Sequence, residues 1–287
     1  MSTTERLTAE MERIIRARIE ANRLVLPAFP ATATRCAAML KDPNVNTKKV
    51  VALLEADPVF AVLVLRAAST ANFGGQAAGS LDTAVTRLGI NALRTLLIQA
   101  AARSIFESSD RSINQRLAQV WTHSIGVAVM ARDIAALMQA SDVEACYLAG
   151  LLHDVGKPVV AAMLTEVERS LGKKAQISVD QWIGVVDACH RPVGVALAEK
   201  WNLAAPVVAA IRDCNEYDPG DRRGPANIVR FANALVKKHG LATGTYDAED
   251  VSALIMIGRS MLGLEEEVVG RLAAGIKARI ESGAIAA

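Results

Sequence analysis

The sequence predicts an all-α protein, a multi-helix bundle of about a dozen helices. Three observations carry that expectation. Of 287 residues, 52% are hydrophobic but only 4% aromatic. The apolar content is largely Ala, Leu, Val and Ile, and Ala and Leu are strong helix formers. Apolar residues recur at helical spacing, and no run sustains the alternation of a half-buried strand. Pro, Gly and short polar residues punctuate those runs where helices start and stop. No repeat of fixed period is seen, so a solenoid is not supported.

Residues 4–23 place Leu7, Met11, Ile14, Ile15, Ile19 and Leu24 on one stripe, with charge between them. Pro27 and Pro30 then break the chain, and a helix from about Pro30 to Leu40 should follow, because Pro can open a helix but not continue one. The Asp42-Pro43-Asn44 turn ends it. Asn46 is a fitting N-cap for 47–55. Asp57-Pro58 opens the next helix, which turns Phe60, Leu63, Val64 and Ala67 inward. Glycines between 74 and 79 mark a loop. Two helices over Leu81–Leu88 and Ile90–Phe106 should meet at Gly89.

A long helix follows at 113–139, with Leu117, Val120, Trp121, Ser124, Val127 and Ala128 on one stripe. Ser141-x-x-Glu144 has the form of a capping box and should open a helix through Tyr147, Leu148, Leu151 and Leu152. Gly156 and Pro158 start another, to about Arg169, and Gly172 lies in the next linker. Ser178-x-x-Gln181 opens a further helix. Arg191-Pro192 should start one that runs to Trp201, and Pro206 one that runs to Asp213. Residues 217–225 are a polar loop. A helix from Ala226 ends at Lys237-Lys238-His239-Gly240, with cations in its last turn and Gly beyond it. Two more occupy 247–262 and 265–283.

Charge removes several function classes. Lys plus Arg number 32 and Asp plus Glu 30, a net +2, and the longest basic runs are pairs such as Lys173-Lys174, Arg222-Arg223 and Lys237-Lys238. A dedicated nucleic-acid binder is strongly and locally basic, so no nucleic-acid partner is expected. Residues 1–23 carry no apolar core of a signal peptide, and the apolar stretch near Val59–Leu65 is far short of a span. No membrane association and a cytoplasmic location are expected. Cys36, Cys146, Cys189 and Cys214 are widely spaced with no C-x-x-C pair, which argues against a zinc cluster. Cys146 lies in an apolar run and reads as a small buried hydrophobe.

Only four histidines are available for chemistry. His123 lies mid-helix in Trp121-Thr122-His123-Ser124 and, taken alone, reads as a hydrogen-bonded core histidine. His153-Asp154 precedes Val155-Gly156-Lys157-Pro158. Imidazole plus carboxylate suits a divalent metal, and Lys157 is near enough to meet a phosphate. The plainer alternative has Asp154 capping the next helix and His153 packed beneath it. His190 reads as a capping or surface histidine, and His239 as a helix C-terminal cation. Phosphate-binding glycine loops, G-x-S-x-G and H-E-x-x-H are all absent.

Together these pieces resemble the HDOD family, the HD-related output domain of bacterial signalling proteins, over roughly residues 22–240. The likeness begins at Leu26-Pro27-Ala28-Phe29-Pro30, the Asp42-Pro43-Asn44 turn and Asp57-Pro58 leading to Val64-Leu65-Arg66-Ala67-Ala68-Ser69-Thr70-Ala71. It continues through Leu81-x-x-Ala84-Val85-x-x-Leu88-Gly89, Leu93-Arg94 and Trp121-x-His123-Ser124. It closes with Gly150-Leu151-Leu152-His153-Asp154-Val155-Gly156-Lys157 and His190-x-x-Val193-Gly194-x-x-Leu197-Ala198-Glu199-Lys200-Trp201-Asn202-Leu203. The resemblance implies an HD-domain-like bundle over 24–240, divided into lobes at 24–106 and 107–240. An N-terminal amphipathic helix over 1–23 and a C-terminal helical extension over 241–287 would flank it.

The related HD enzymes hold a divalent metal with the pattern H…HD…D. Carried over by position, His123, His153 and Asp154 would be metal ligands, with Asn233 where the last aspartate falls. Lys157 and Asp154 would be catalytic if the chain were an enzyme. Lys157 and His190 would contact a ligand. Fe, Mn, Ni, Zn or Mg could serve as the metal. Cys214-Asn215 stands where many relatives carry a paired histidine, so a two-metal site looks disabled. Two functions follow as expectations. One is a regulatory binding module without turnover, acting with a signalling protein partner or a small phosphorylated ligand, with homodimerisation through the flanking helices. The other is a metal-dependent phosphohydrolase acting on a nucleotide or other phosphate ester.

Overall fold

In a computed structural model, the described residues are 3–21, 23–40, 42, 45–70, 75–108, 110–171, 177–244 and 246–276. Among them all regular structure is helical. Pro43 and Asn44, Ala71 and Gly74, Gly172 with Lys173-Lys174, and 277–283 of the last helix lie outside the described residues. No described helix is long and apolar enough to cross a membrane. The chain forms two compact units.

The smaller unit covers Ala28–Ser104 and contains α2 (Ala31–Met39), α3 (Thr47–Glu55), α4 (Pro58–Ala68) and α5 (Leu81–Arg103). Its boundaries follow local chemistry. The Asn46 side chain accepts from the Lys48 amide at 3.0 Å. Asp57 accepts from Val59 and Phe60, with Pro58 in the first turn where its missing N–H costs nothing. The Thr32 hydroxyl also donates to Asp57 at 2.8 Å, so one carboxylate caps α4 and ties it to α2. Gly89 sits at φ 73°, ψ 169°, a region that is essentially glycine's alone, and it breaks α5 into two helical segments. The core is apolar: Val50, Leu54, Val64, Leu93 and Leu97 are fully buried, and Leu63 packs against them only partly buried.

The larger unit contains α1 (Thr3–Glu20), α6 (Arg111–Leu137), α7 (Val143–Leu152), α8 (Gly156–Leu171), α9 (Val179–Lys200), α10 (Ala205–Asp213), α11 (Pro225–Lys238), α12 (Ala248–Leu262) and α13 (Glu266–Ala273). Every residue of α7 from Ala145 to Leu152 is buried, the mark of a central helix. It packs on α6, α10 and α11, while α9 packs on α1, α8 and α10. Ser178 and Gln181 form the expected capping box at the start of α9. The four cysteines are buried and free.

Three boundaries differ from those expected. α7 is capped by Asp142, whose carboxylate accepts from the Ala145 amide at 2.8 Å, and not by Ser141. A carboxylate at the N-cap complements the helix dipole, so the competing cap one residue later prevails. No helix starts at Arg191-Pro192: α9 runs through it, with Pro192 inside. Interior Pro costs about 3 kcal/mol, which the packing of α9 along α1 and α8 offsets. His190 is therefore a buried mid-helix residue and not a cap. The last predicted helix is interrupted after Ala273, where Ala274 turns extended and Gly275 takes φ 77°; Ile276 is helical again.

Candidate metal centre

The site lies where α7 ends and α8 begins, within the larger unit. A tight turn over 153–155 separates the two helices. It needs Gly156, because a Cβ there would run into the His190 carbonyl of α9. That close approach brings the His153-Asp154 pair against His190, while α6 presents His123. His123, His153, Asp154 and His190 are all less than a tenth exposed.

Each imidazole is oriented by its own backbone carbonyl. His123 Nδ1 donates to Leu241 at 2.7 Å, His153 Nδ1 to Gly150 at 2.7 Å, and His190 Nδ1 to Asp187 at 2.7 Å. A carbonyl can only accept, so Nδ1 carries a proton in all three rings. The three Nε2 atoms converge on Asp154, at 3.9 Å from His123, 3.5 Å from His153 and 3.3 Å from His190. His123 and His153 meet edge to face, with ring centroids 5.3 Å apart.

Lys157, one turn after Asp154, completes the arrangement. Its ammonium lies 3.0 Å from Asp154 and 3.0 Å from Asp187, and donates to Thr243 at 3.4 Å. Burial pushes His123 down to about 3 and His153 to about 4, so both rings are neutral at pH 7. Burial also opposes the charge on Asp154, but His153, Lys157 and His190 outweigh it and hold the carboxyl well below its usual range. Burial opposes the Lys157 charge as well, and Asp154 with Asp187 overcomes it and raises the ammonium's pKa. The result is a neutral imidazole pair beside a carboxylate–ammonium pair.

The donor set fits a metal ion. His123, His153 and Asp154 each offer a ligand atom, and these atoms lie within 4.8 Å of one another. The Nε2 atoms of His123 and His153 are buried without a hydrogen-bond partner. Buried polar atoms are rarely left unpaired, and two neutral imidazole lone pairs beside a carboxylate are what a divalent ion uses. The Oδ1 atom of Asn233 is likewise buried and unpartnered. Asn233 lies one turn before Lys237 on α11, and Lys237 acts electrostatically on His123, His153 and Asp154, which puts that face of α11 toward the cluster.

Several of these residues escaped sequence reasoning. Lys237 reads as a helix C-terminal cation, yet the fold carries it to the cluster, where burial lowers its pKa. Asp187 stands three residues before His190 with no motif of its own. Leu241 and Thr243 follow α11 as plain loop residues, although one fixes a histidine and the other meets Lys157. The i, i+4 spacing of Asn233 and Lys237 was the one available signal.

The family model for the HDOD domain matches residues 26–217, and the chain belongs to that family. It is 26% identical over 225 residues to an uncharacterised protein of Treponema pallidum (strain Nichols), a match that covers 74% of this chain and 42% of that protein. The chain thus spans less than half the length of that relative. A candidate metal-dependent phosphohydrolase from Shewanella amazonensis SB2B superposes with a TM-score of 0.78 at 18% identity, over 98% of this chain and 99% of that one. An HDOD domain protein of unknown function from Geobacter sulfurreducens gives 0.65 at 23% identity, covering 97% of each chain. A candidate signal transduction protein from Marinobacter aquaeolei VT8 gives 0.64 at 24%, over 97% of this chain and 65% of that one. At these identities the likeness is one of fold.

Proposed function

We propose that the chain is a regulatory binding module that uses its HD-type site to hold a single divalent ion and a phosphorylated ligand, without turnover. The observation that carries this reading is the state of Asp154. It is the one carboxylate in the cluster among the described residues, and Lys157 already holds it at 3.0 Å. His123, His153, Asp154 and Asn233 would hold the ion, the last through a neutral amide oxygen. That set brings one negative charge, partly cancelled by Lys157, so the ion is held loosely. A bound ion would polarise a phosphoryl oxygen. Lys157 and His190 orient Asp154, and Lys157 is also placed to meet a phosphate. The second carboxylate nearby, Asp187, is engaged by Lys157 and lies outside the metal-capable set, and Asn233 cannot take a proton. Residues 24–240 are the segment to which this role is ascribed, and its signal would pass to a protein partner.

The test is a turnover assay on the intact chain loaded with Mn²⁺, Ni²⁺ or Zn²⁺, using p-nitrophenyl phosphate and bis-p-nitrophenyl phosphate. No hydrolysis above the metal-only control is expected, and Asn233→Asp should tighten metal binding at least tenfold. Turnover by the unaltered chain that disappears in Asp154→Asn would establish the phosphohydrolase reading instead.

A further inference from the structure

Helix α12 carries apolar residues on two faces. Val251, Gly258 and Leu262 form the buried one, and the fit there is close, because a Cβ at Gly258 would run into Tyr217 and Phe231. The opposite face is also apolar, and it lies in solvent. Ala253, Met256, Ile257 and Ser260 are exposed, Met256 by 63% and Ile257 by 45%. Single exposed apolar residues need no explanation, but a joined stripe along one helix marks a contact surface. Methionine is also enriched at protein interfaces.

The two ends of the stripe carry opposite charge. Glu249, in the first turn, is exposed on the same line as Ala253, Met256 and Ser260. At the other end the exposed Arg222 donates to the carbonyls of Met261 at 2.8 Å and Ser260 at 3.1 Å. A guanidinium has five donors in a flat fork, so Arg222 keeps some for a carboxylate. Arg259, by contrast, is already paired with Glu266. Positions 249, 253, 256 and 260 are spaced symmetrically along the chain. Turned end for end, the stripe is therefore its own complement: Glu249 meets the end that holds Ser260 and Arg222, and Met256 meets the small Ala253. A face that matches its own inverse is what a two-fold interface requires. A partner of a single charge would satisfy only one end.

We infer that α12 is the contact between two copies of this chain, packed antiparallel about a two-fold axis, with Glu249 of each copy on Arg222 of the other and Met256 over Ala253. The small side chains of Ala253 and Ser260 let the two helices approach closely, toward the lower end of the roughly 8–10 Å that separates packed helix axes. A strip one helix wide and 15 residues long covers less than the roughly 800 Å² per partner of a standard interface. The dimer is therefore weak and depends on concentration. It stands apart from the metal and ligand readings of the larger unit, and either can fail without the other.

The experiment is sedimentation equilibrium of the full chain from about 1 μM to about 1 mM. The mass should rise from one chain to two across that range. Met256→Glu, at an exposed position where folding is not at stake, should weaken the dimer about tenfold or more. Higher salt should weaken it severalfold by screening the exposed end charges. The register is read by cross-linking. Chains bearing Glu249→Cys and chains bearing Ser260→Cys, mixed at the highest concentration and oxidised, should join to each other, and neither should join to itself. The four native cysteines are buried, so the cross-links report the added thiols. A chain that stays monomeric throughout, as it would if this face served an unlike partner, overturns the inference. So does a dimer that Met256→Glu or salt leaves unchanged, which another face would form, and so does cross-linking of either cysteine variant to itself, which a parallel pairing would give.

Discussion

The two units solve the problem of a core in different ways. In the smaller, the buried residues among those described are apolar, from Val50 and Leu54 on α3 to Leu93 and Leu97 on α5. In the larger, His123, Ser124, His153, Asp154, His190 and Asn227 are buried among the aliphatic side chains. An apolar core needs only volume and pattern. A buried polar cluster must also satisfy each donor and acceptor, and here two imidazole nitrogens, the Ser124 hydroxyl and an amide oxygen are among the atoms left open. The contrast separates an apolar core from one that carries an incompletely paired polar cluster.

The largest effect that would sharpen this contrast comes from breaking the buried pair. Asp154→Ala leaves the Lys157 ammonium with only the exposed Asp187, and should cost about 3–5 kcal/mol, read as a drop in the urea midpoint. Leu54→Ala in the smaller unit should cost about 2–5 kcal/mol through its cavity, with the same penalty at pH 5 and pH 7. A strongly pH-dependent penalty at Leu54 would break the distinction.

Acid should act on the larger unit first. His123 and His153 titrate at about 3 and 4 when folded, against about 6.5 unfolded. Below pH 6.5 the unfolded chain takes up protons that the folded chain refuses. Stability is therefore full above that pH and falls as pH drops toward the folded values, by roughly 1.4 kcal/mol per pH unit for each ring. Native-state hydrogen exchange in chelator, corrected for intrinsic rates, should show α7 losing protection between pH 7 and pH 5. Equal losses in α3 would contradict a difference between the regions.

Smaller effects test the local geometry. Gly89→Ala meets no neighbouring atom, so its cost, about 1–3 kcal/mol, is the backbone strain alone. Asp142→Ala should cost about 1 kcal/mol and Ser141→Ala only a few tenths, since Asp142 caps α7. Thermal midpoints would rank all three.

How much of this was legible beforehand depends on the range of the forces involved. Asn46, Asp57 and Ser178 act on amides two or three residues away, so their helix starts could be read directly, as could the break at Gly89. Pro192 could not, because the continuation of α9 is decided by helices distant in sequence. The same holds for the site. His153, Asp154 and Lys157 are neighbours in the chain, and their grouping was visible. His123 and His190 were placed with them through family resemblance, and the structure brings all of them together. Lys237, Asp187 and Thr243 reach the cluster only through tertiary packing, and beyond the four-residue spacing of Lys237 from Asn233 local chemistry marks none of them.

The central claim is that the polar cluster of the larger unit is a loosely held, single-ion site. Elemental analysis of the untagged chain, purified without chelator and then equilibrated with rising Mn²⁺, Ni²⁺ or Zn²⁺, tests it most directly. The account predicts saturation at one ion per chain, complete removal by chelator, and loss of uptake in His153→Ala. Two ions per chain, an ion that chelator cannot remove, or no uptake at saturating metal would contradict it.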